Sequence, residues 1–306
     1  MKKPDSIHEQ KISGANSKAQ SGNNSELRSR IIYGLLLAGS AFALTWLGGL
    51  AFQALVGVGA IIMFDEYRKI CRPVLPMRVA LITFAFIVLN MAAWIVKAYD
   101  TAIVLTLFAF LFLGAWEFVI KRTGWGAIGL VYVLAPFFAL VHLRSHSDEG
   151  YYIILLLFAL VWGADTMAYV VGKTFGGPKL IPKISPGKTW SGFFGGLFGG
   201  LLIGWLIMLM SGYQASMAFI PIGLLLVFLS QVGDLAESAL KRKFKVKDSG
   251  AIIPGHGGVL DRVDGLVFTS VAAWVLALYL SDVFFGIWTW EPANALISFM
   301  FERGSN

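Results

Sequence analysis

Charged and glycine residues gather in one polar stretch, residues 238–264, which lies between two long apolar runs. Its sequence is SALKRKFKVKDSGAIIPGHGGVLDRVD, with six Lys or Arg, three Asp, one His and four Gly. Cations neutralise phosphate oxygens, carboxylates hold a divalent cation, and glycines let the backbone approach an anion closely. The stretch is therefore the first candidate for a site of phosphate chemistry.

Carboxylates flank this stretch at helical spacing. Four polar side chains at the end of the preceding apolar run are three, four and seven residues apart and share one helical face: Asp234, Glu237, Ser238 and Lys241. Asp261 and Asp264 are three residues apart and also share a face. Carboxylates next to hydrocarbon are costly, so they are usually paired or functional. Two interpretations stay open: a structural network of ion pairs, or a Mg²⁺ site with Asp234, Asp261 and Asp264 as ligands.

A glycine-rich turn, PGHGG, lies between the basic cluster and the Asp pair. Backbone N–H groups at Gly257 and Gly258 could approach a phosphate closely. His256 could donate a hydrogen bond to a phosphate or act as an acid or base. It could equally be an ordinary loop residue held by hydrogen bonds.

A second loop, residues 172–192, is also rich in Gly and Lys, and its sequence is GKTFGGPKLIPKISPGKTWSG. It contains Lys188 and Thr189 after a glycine, but it is not a Walker A loop, because Pro182 stands where that pattern needs Gly. We interpret it as a second cationic wall for a polyphosphate. Asp165, inside the preceding apolar run, either lines the site or hydrogen-bonds a neighbouring helix. Glu117 is expected at a helix end, at the membrane interface.

The composition indicates a membrane protein. The chain has 306 residues, of which 57% are hydrophobic and 14% charged, with mean hydropathy +0.71. Soluble domains have about 25% charged residues. The single cysteine, Cys71, excludes an intramolecular disulfide framework and a Cys-based zinc site. We expect no nucleic-acid partner, although the net charge is +7.

The apolar runs predict an all-α polytopic membrane protein with about nine transmembrane helices and a cytoplasmic N-terminus. The predicted helices cover residues 31–47, 50–65, 78–96, 101–120, 127–143, 151–172, 190–211, 217–237 and 265–286. Residues 1–30 are polar and predicted to be a disordered cytoplasmic tail, without a cleavable signal pattern. Residues 31–150 form the N-terminal helices and residues 151–306 the catalytic region. The Trp-rich segment 287–301 is expected at the interface.

The positive charges test this count. With alternating crossings, 22 of the 25 Lys and Arg residues lie on the side of the N-terminus and three on the other side. The positive-inside rule expects such a split of a correct topology. If the first run crossed only once, every later loop would change side and the split would be lost. No internal repeat indicates an inverted-repeat transporter.

The polar stretch resembles the signature of the phosphatidate cytidylyltransferases, or CDP-diacylglycerol synthases. The matching positions are Ser238, Lys241-Arg242, Lys247-Asp248, Pro254, His256-Gly257-Gly258 and Asp261-Arg262-x-Asp264. The segments ADTMAY and SPGKTW, at residues 164–169 and 185–190, are also similar to family segments. The specific resemblance covers residues 162–265, whereas residues 1–150 match only as generic membrane helices.

The resemblance implies that CTP and phosphatidate, a membrane lipid, give CDP-diacylglycerol and pyrophosphate. It also implies Mg²⁺ held by Asp261 and Asp264 with Asp234 as third ligand, and a K⁺ ion is suspected beside it. Residues expected to act in catalysis are Lys241, Arg242, Lys247, Asp248, His256 and Arg262. Residues expected to bind substrate are Asp165, Ser185, Lys188, Thr189, Ser238, Gly257 and Gly258.

The expected location is a bacterial inner membrane, with the active site on the cytoplasmic side, and a homodimer is left open. Two kinds of rival stay open. One is another membrane enzyme that uses CTP on a lipid, such as a CDP-archaeol synthase or a polyprenol kinase. The other is a transporter with an anion-binding mouth, whose charges should line a path through the membrane.

Overall fold

The structure, a computed structural model, describes residues 32–120, 124–144, 148–252, 257–285 and 292–303. Its helices are α1 (Ile32–Leu47), α2 (Gly49–Ile70), α3 (Met77–Ile95), α4 (Tyr99–Val119), α5 (Trp125–Leu143), α6 (Asp148–Phe175), α7 (Trp190–Met210), α8 (Phe219–Lys243), α9 (Leu260–Phe285) and α10 (Pro292–Met300). Among these residues, eight helices, α2 to α9, are long and apolar enough to cross a membrane, and α1 is a shorter apolar helix. The expectation of an all-α polytopic membrane protein is confirmed. The predicted tail, residues 1–30, lies outside the described residues.

The first apolar run is broken at the predicted place. Helix α1 ends at Leu47, Gly48 has a φ of 62°, and α2 begins at Gly49. Arg144 fixes this end of α1, because its Nε donates to the carbonyl oxygen of Thr45 at 2.7 Å. The long run is therefore two helices.

Three helices carry polar residues of the candidate site at their ends, and two of them, α2 and α8, continue further along the chain than predicted. Helix α2 continues beyond residue 65 to Ile70, so that Glu66 lies on a helix. Helix α8 continues to Lys243, which confirms the shared helical face of residues 234–241. Helix α9 begins at Leu260 and carries Asp261 and Asp264 in its first turns.

Two small antiparallel sheets add to the helices. Strands β1 (Lys179–Ile181) and β2 (Ser185–Thr189) form a hairpin, and β3 (Tyr213–Ala215) pairs with β4 (Phe301–Arg303). The sequence did not predict the β1–β2 hairpin, because its strands are only three and five residues long and lack an alternating apolar pattern. The hairpin carries Ser185 and Lys188, and it makes the second basic loop an ordered element.

The segment expected at the membrane interface is partly packed into the bundle. Residues 292–300 form α10, whose Leu296 and Met300 are fully buried. Strand β4 then joins α10 to β3. The Trp residues of this segment lie outside the described residues.

Close helix contacts bring the polar residues together. A Cβ atom at Gly200 of α7 would lie 2.8 Å from the carbonyl oxygen of Leu160 in α6, so these helices meet through glycine. Helices α8 and α9 meet at Gly233, where a Cβ atom would collide with the carbonyl oxygen of Asp264. This crossing sets Asp234, the residue after Gly233, against the start of α9.

Candidate active site

The polar elements meet at one end of the bundle. Arg242 at the end of α8 donates from Nε to the carbonyl oxygen of Ile184 in the β1–β2 turn, at 3.2 Å. Lys243 lies over the ring of Trp125, 4.7 Å from its centroid, at the start of α5. The end of α8, the hairpin and the start of α5 therefore form one polar end, which we call the site end.

A closed group of charges lies inside the site end, and we call it the Lys241 cluster. Lys241 Nζ lies 2.6 Å from Glu237 Oε2 and 2.6 Å from Asp261 Oδ1. The side chains of Lys241, Glu237 and Asp261 are 13%, 1% and 12% exposed. Because two carboxylates flank one ammonium group, the cluster carries a net negative charge in the ionised state.

The second oxygen of Asp261 organises the loop before α9. Asp261 Oδ2 accepts hydrogen bonds from the backbone N–H of Gly258 at 3.0 Å and from that of Ser249 at 3.2 Å. The Ser249 hydroxyl donates to the same oxygen at 2.8 Å. Both oxygens of Asp261 are thus bonded within the protein.

An open ion pair joins the hairpin to α8, and we call it the Lys188 pair. Lys188 Nζ in β2 lies 2.5 Å from Asp234 Oδ2 in α8. The two side chains are 27% and 31% exposed, so solvent reaches both. Ser238, one turn further along α8, has its hydroxyl 3.5 Å from Asp234 Oδ1.

Three carboxylates converge beside the Lys188 pair. Asp165, Asp234 and Asp264 lie near enough for their charges to repel one another, and Lys188 and Arg262 attract Asp165. Asp264 Oδ1 accepts from the backbone N–H of Gly265 at 2.8 Å. Of the two interpretations of Asp165, the geometry favours the one in which it lines the site.

The expected magnesium ligands are only partly brought together. No three Asp, Glu, His or Cys side chains in the described part of the chain form a ready metal-binding group. Asp261 contacts Lys241 and Ser249, whereas Asp234 contacts Lys188, and Asp264 accepts from the backbone N–H of Gly265. The donor set nevertheless fits Mg²⁺, because carboxylate oxygens are hard ligands and the mutual repulsion of three carboxylates is relieved by a cation.

Glu66 is a site residue that the sequence analysis missed. Its Oε1 accepts from the backbone N–H of Val259 at 3.0 Å, and its Oε2 accepts from that of Leu260 at 2.7 Å. The carboxylate therefore caps the N-terminus of α9, where the helix dipole favours negative charge. Helical periodicity could have found it, because Glu66 lies on the same face of α2 as Met63 and Ile70, which are buried.

Several predicted substrate-binding residues have structural partners. The hydroxyl of Thr189 caps α7 by accepting from the backbone N–H of Gly192 at 3.1 Å. A Cβ atom at Gly258 would lie 2.7 Å from Glu66 Oε2, and the Gly258 N–H is already donated to Asp261. Gly257 has a φ of 86°, so a glycine suits this turn.

The remaining expected residues lie at the edge of the site or beyond the described residues. Ser185 lies at the start of β2 and is half-buried, and Arg262 is exposed on the first turn of α9. Lys247 and Asp248 are exposed on the loop after α8 and make no hydrogen bond or ion pair with another described residue. His256 lies outside the described residues.

Glu117 corrects one expectation of the sequence analysis. Its side chain is fully buried, and its oxygens accept hydrogen bonds from the backbone N–H groups of Gly126 and Ala127 at 3.0–3.1 Å. It is a helix-end residue, as expected, but it caps the start of α5 instead of facing the interface.

Most of the chain is similar to proteins of one known family. The sequence model of the cytidylyltransferase family matches residues 28–280. The phosphatidate cytidylyltransferase of Brucella abortus biovar 1 (strain 9-941) is 37% identical over 262 residues, which cover 84% of this chain and 96% of the relative. That of Rickettsia conorii (strain ATCC VR-613 / Malish 7) is 39% identical over 160 residues, 50% of this chain and 69% of the relative. The similarity thus includes the N-terminal helices as well as the polar stretch.

Proposed function

The chain belongs to the cytidylyltransferase family, and we propose that it transfers the cytidylyl group of CTP to phosphatidate, giving CDP-diacylglycerol and pyrophosphate. The observation that carries this proposal is the site end itself. Two lysines from facing elements, Lys188 and Lys241, lie beside carboxylates at the end of a bundle of apolar helices. Such a site can bind a polyphosphate and a lipid phosphate together.

The chemistry asks for positioning and charge stabilisation more than for a strong base. The phosphate oxygen of phosphatidate is already an anion, and it forms a bond to the α-phosphorus of CTP. The bond from the α-phosphorus to the bridging oxygen breaks, and its electrons leave with pyrophosphate. Lys188 is solvent-accessible and can exchange Asp234 for a phosphate oxygen. Arg262, exposed on the first turn of α9, adds a second positive charge that a phosphate can reach.

A divalent cation has a place in this scheme. Asp234 and Asp264 would hold Mg²⁺, and the bound ion would offset the negative charge of the phosphates. Asp165 lies near enough to support them, by its charge. Asp261 Oδ2 already accepts three hydrogen bonds, so Asp261 would join through Oδ1, which contacts Lys241. The K⁺ ion stays a prediction.

The apolar helices, the bacterial relatives and the need for CTP together indicate where the protein lies in the cell. The protein is an integral membrane protein by its apolar helices, and its relatives in Brucella and Rickettsia are bacterial. We place the site end on the cytoplasmic side of the inner membrane, where CTP is available. A reporter fused at residue 213 is then expected to report the opposite side. A cytoplasmic signal there would contradict this orientation. The homodimer stays a prediction.

One assay tests the reaction. Purified protein in detergent is supplied with radiolabelled CTP, phosphatidate and Mg²⁺, with and without EDTA. We expect a labelled CDP-lipid and pyrophosphate, both lost with EDTA. Two parallel assays test the rival CTP-dependent enzymes: one uses an archaeal ether-lipid acceptor with the same CTP, and the other uses a polyprenol with CTP labelled at the γ-phosphorus, the group that a kinase transfers. A labelled product with either of these lipids, and none with phosphatidate, would contradict the proposal.

A further inference from the structure

Glu66 joins the N-terminal helices to the loop that carries the site. Its side chain is 0% exposed and lies near the end of α2, whereas its partners Val259 and Leu260 are more than 190 residues further along the chain. The end of α2 is itself fixed, because the hydroxyl of the neighbouring Tyr67 donates to the carbonyl oxygen of Trp125 at 2.9 Å. The carboxylate is therefore a rigid anchor for a polar loop.

The loop is shaped around this carboxylate. A Cβ atom at Gly250 would lie 2.6 Å from Glu66 Oε1, and one at Gly258 would lie 2.7 Å from Glu66 Oε2. Any larger side chain at either position would push the carboxylate out. The two glycines thus allow the loop to close over Glu66, one from each end of the segment that leads into α9.

Glu66 and Asp261 share one donor. The Ser249 hydroxyl lies 2.8 Å from Asp261 Oδ2 and 3.2 Å from Glu66 Oε2, and its single proton serves both. Asp261 in turn holds Lys241 through its other oxygen. A continuous chain of contacts therefore runs from Glu66 through Ser249 and Asp261 to Lys241.

We propose that Glu66 is a positioning residue for cytidylyl transfer. It fixes the loop before α9 and the first turn of that helix. Asp261 then holds Lys241 in place, and Asp264 keeps its position near the start of α9. Glu66 touches no substrate in this scheme. Its effect passes through the groups that bind the nucleotide phosphates, and the inference rests on the proposed function.

Glu117 offers a matched control. Both carboxylates are fully buried, both belong to the N-terminal helices, and both cap a helix by accepting backbone N–H groups. Helix α5, which Glu117 caps, carries none of the site carboxylates. Glu66→Gln and Glu117→Gln thus make the same chemical change, since each swaps one acceptor oxygen for an NH₂ group that cannot accept.

The experiment compares steady-state kinetics of the two variants with wild type, with each substrate varied in turn. For Glu66→Gln we expect kcat/KM for CTP to fall by at least about tenfold, because small displacements of positioned groups have large effects on rate. We expect KM for phosphatidate to change by less than about twofold, because in the proposed scheme the acyl chains bind along the apolar helices and not at the loop. Glu117→Gln should lower kcat/KM for CTP less than Glu66→Gln does, because its cap acts one step further from the loop, through Trp125 at the start of α5, which contacts Tyr67 and Lys243.

Amide hydrogen exchange supplies a readout independent of turnover. We expect peptides that contain Val259 and Leu260 to exchange faster in Glu66→Gln than in wild type, and unchanged in Glu117→Gln. Ser249→Ala is a milder second variant in case Glu66→Gln fails to fold. It removes the shared hydroxyl and keeps the backbone N–H bond to Asp261, so a smaller loss in kcat/KM for CTP is expected.

The outcomes separate this inference from the proposed function. A wild-type protein that makes no CDP-lipid would remove the proposed function and the role of Glu66 in it. The inference alone would be overturned if wild type is active and Glu66→Gln has normal kinetics. If Glu66→Gln does not fold, normal kinetics of a folded Ser249→Ala would overturn it in the same way. Equal losses in the Glu66 and Glu117 variants would also overturn it, because a merely structural role predicts that result.

Discussion

The two lysine–carboxylate groups of the site differ in how far they are closed to solvent. In the Lys188 pair both partners are about one third exposed, and the lysine meets one carboxylate. In the Lys241 cluster the lysine meets two carboxylates, and Glu237 is almost completely buried. An exposed ion pair contributes little to stability and is easily exchanged, whereas breaking a buried one leaves an uncompensated charge. We infer that the open pair receives substrate and the closed cluster preserves the shape of the site.

Asp264 lies between the two groups, and its removal should have the largest effect on activity. We expect Asp264→Asn to lower kcat by about 100-fold or more, because an electrostatic group at a reacting centre contributes on that scale. The variant keeps the size of the side chain, and its oxygen can still accept from the N–H of Gly265, so thermal unfolding should change little. The radiolabel assay and a melting curve in detergent measure the two effects.

Asp65→Asn is the control for this prediction. Asp65 pairs with Arg68 and Lys69 on the outer face of α2, in contacts within one helix. This control variant should retain normal turnover. Wild-type activity in Asp264→Asn would remove that residue from the proposed metal site.

Breaking the closed cluster should affect both folding and turnover. Lys241→Ala leaves Glu237 and Asp261 without their shared cation, and we expect a loss of about 3 to 5 kcal/mol in the free energy of unfolding, the range for a broken buried pair. We also expect kcat/KM for CTP to fall, because Asp261 loses a partner and the loop before α9 loses its support. Thermal unfolding and steady-state kinetics on the same preparation measure both. A variant as stable as wild type would show that the cluster is not closed in solution.

Breaking the open pair should affect turnover alone. Lys188→Ala is expected to lower the free energy of unfolding by less than about 1 kcal/mol, the range for exposed pairs. Its kcat/KM for CTP should still fall by about tenfold, if the lysine meets a phosphate oxygen in the transition state. The contrast with Lys241→Ala is the sharpest test of the comparison. Equal stability losses in the two variants would contradict it.

The sequence predicted what depends on neighbours along the chain. Asp234 and Lys241 share a face because both lie on one helix, and the break at Gly48 follows from a glycine pair in an overlong apolar run. Thr189 carries a second local signal, beside its predicted role in substrate binding. A Thr directly before an apolar run is a typical N-cap, and it caps α7.

The contacts of the site residues with other helices could not be predicted, because they depend on which helices pack together. Spacing placed Asp261 and Asp264 on one face, but in the folded protein Asp261 contacts Lys241 and Ser249, whereas Asp264 accepts from the backbone N–H of Gly265 and contacts neither of them. The role of Glu66 needs a contact with Leu260, 194 residues away. No local pattern encodes such a contact. For the same reason the sequence could indicate which carboxylates are candidate magnesium ligands, but not which of them lie together in the folded protein.

Cys71 can report on the closed cluster with the smallest disturbance. Burial raises the pKa of its thiol to about 12, so that the reactive thiolate is scarce at neutral pH. Cys71 packs in the same core as Leu240 and Phe244, the neighbours of Lys241 on α8. We expect a maleimide to label wild type and Lys188→Ala slowly at pH 7, and Lys241→Ala faster, because loss of the cluster loosens the end of α8.

Labelling followed by mass spectrometry measures the rates, with unfolded protein as the fast reference. Equal slow rates in all three proteins would show that the closed cluster stabilises the loop before α9 and not the core below it.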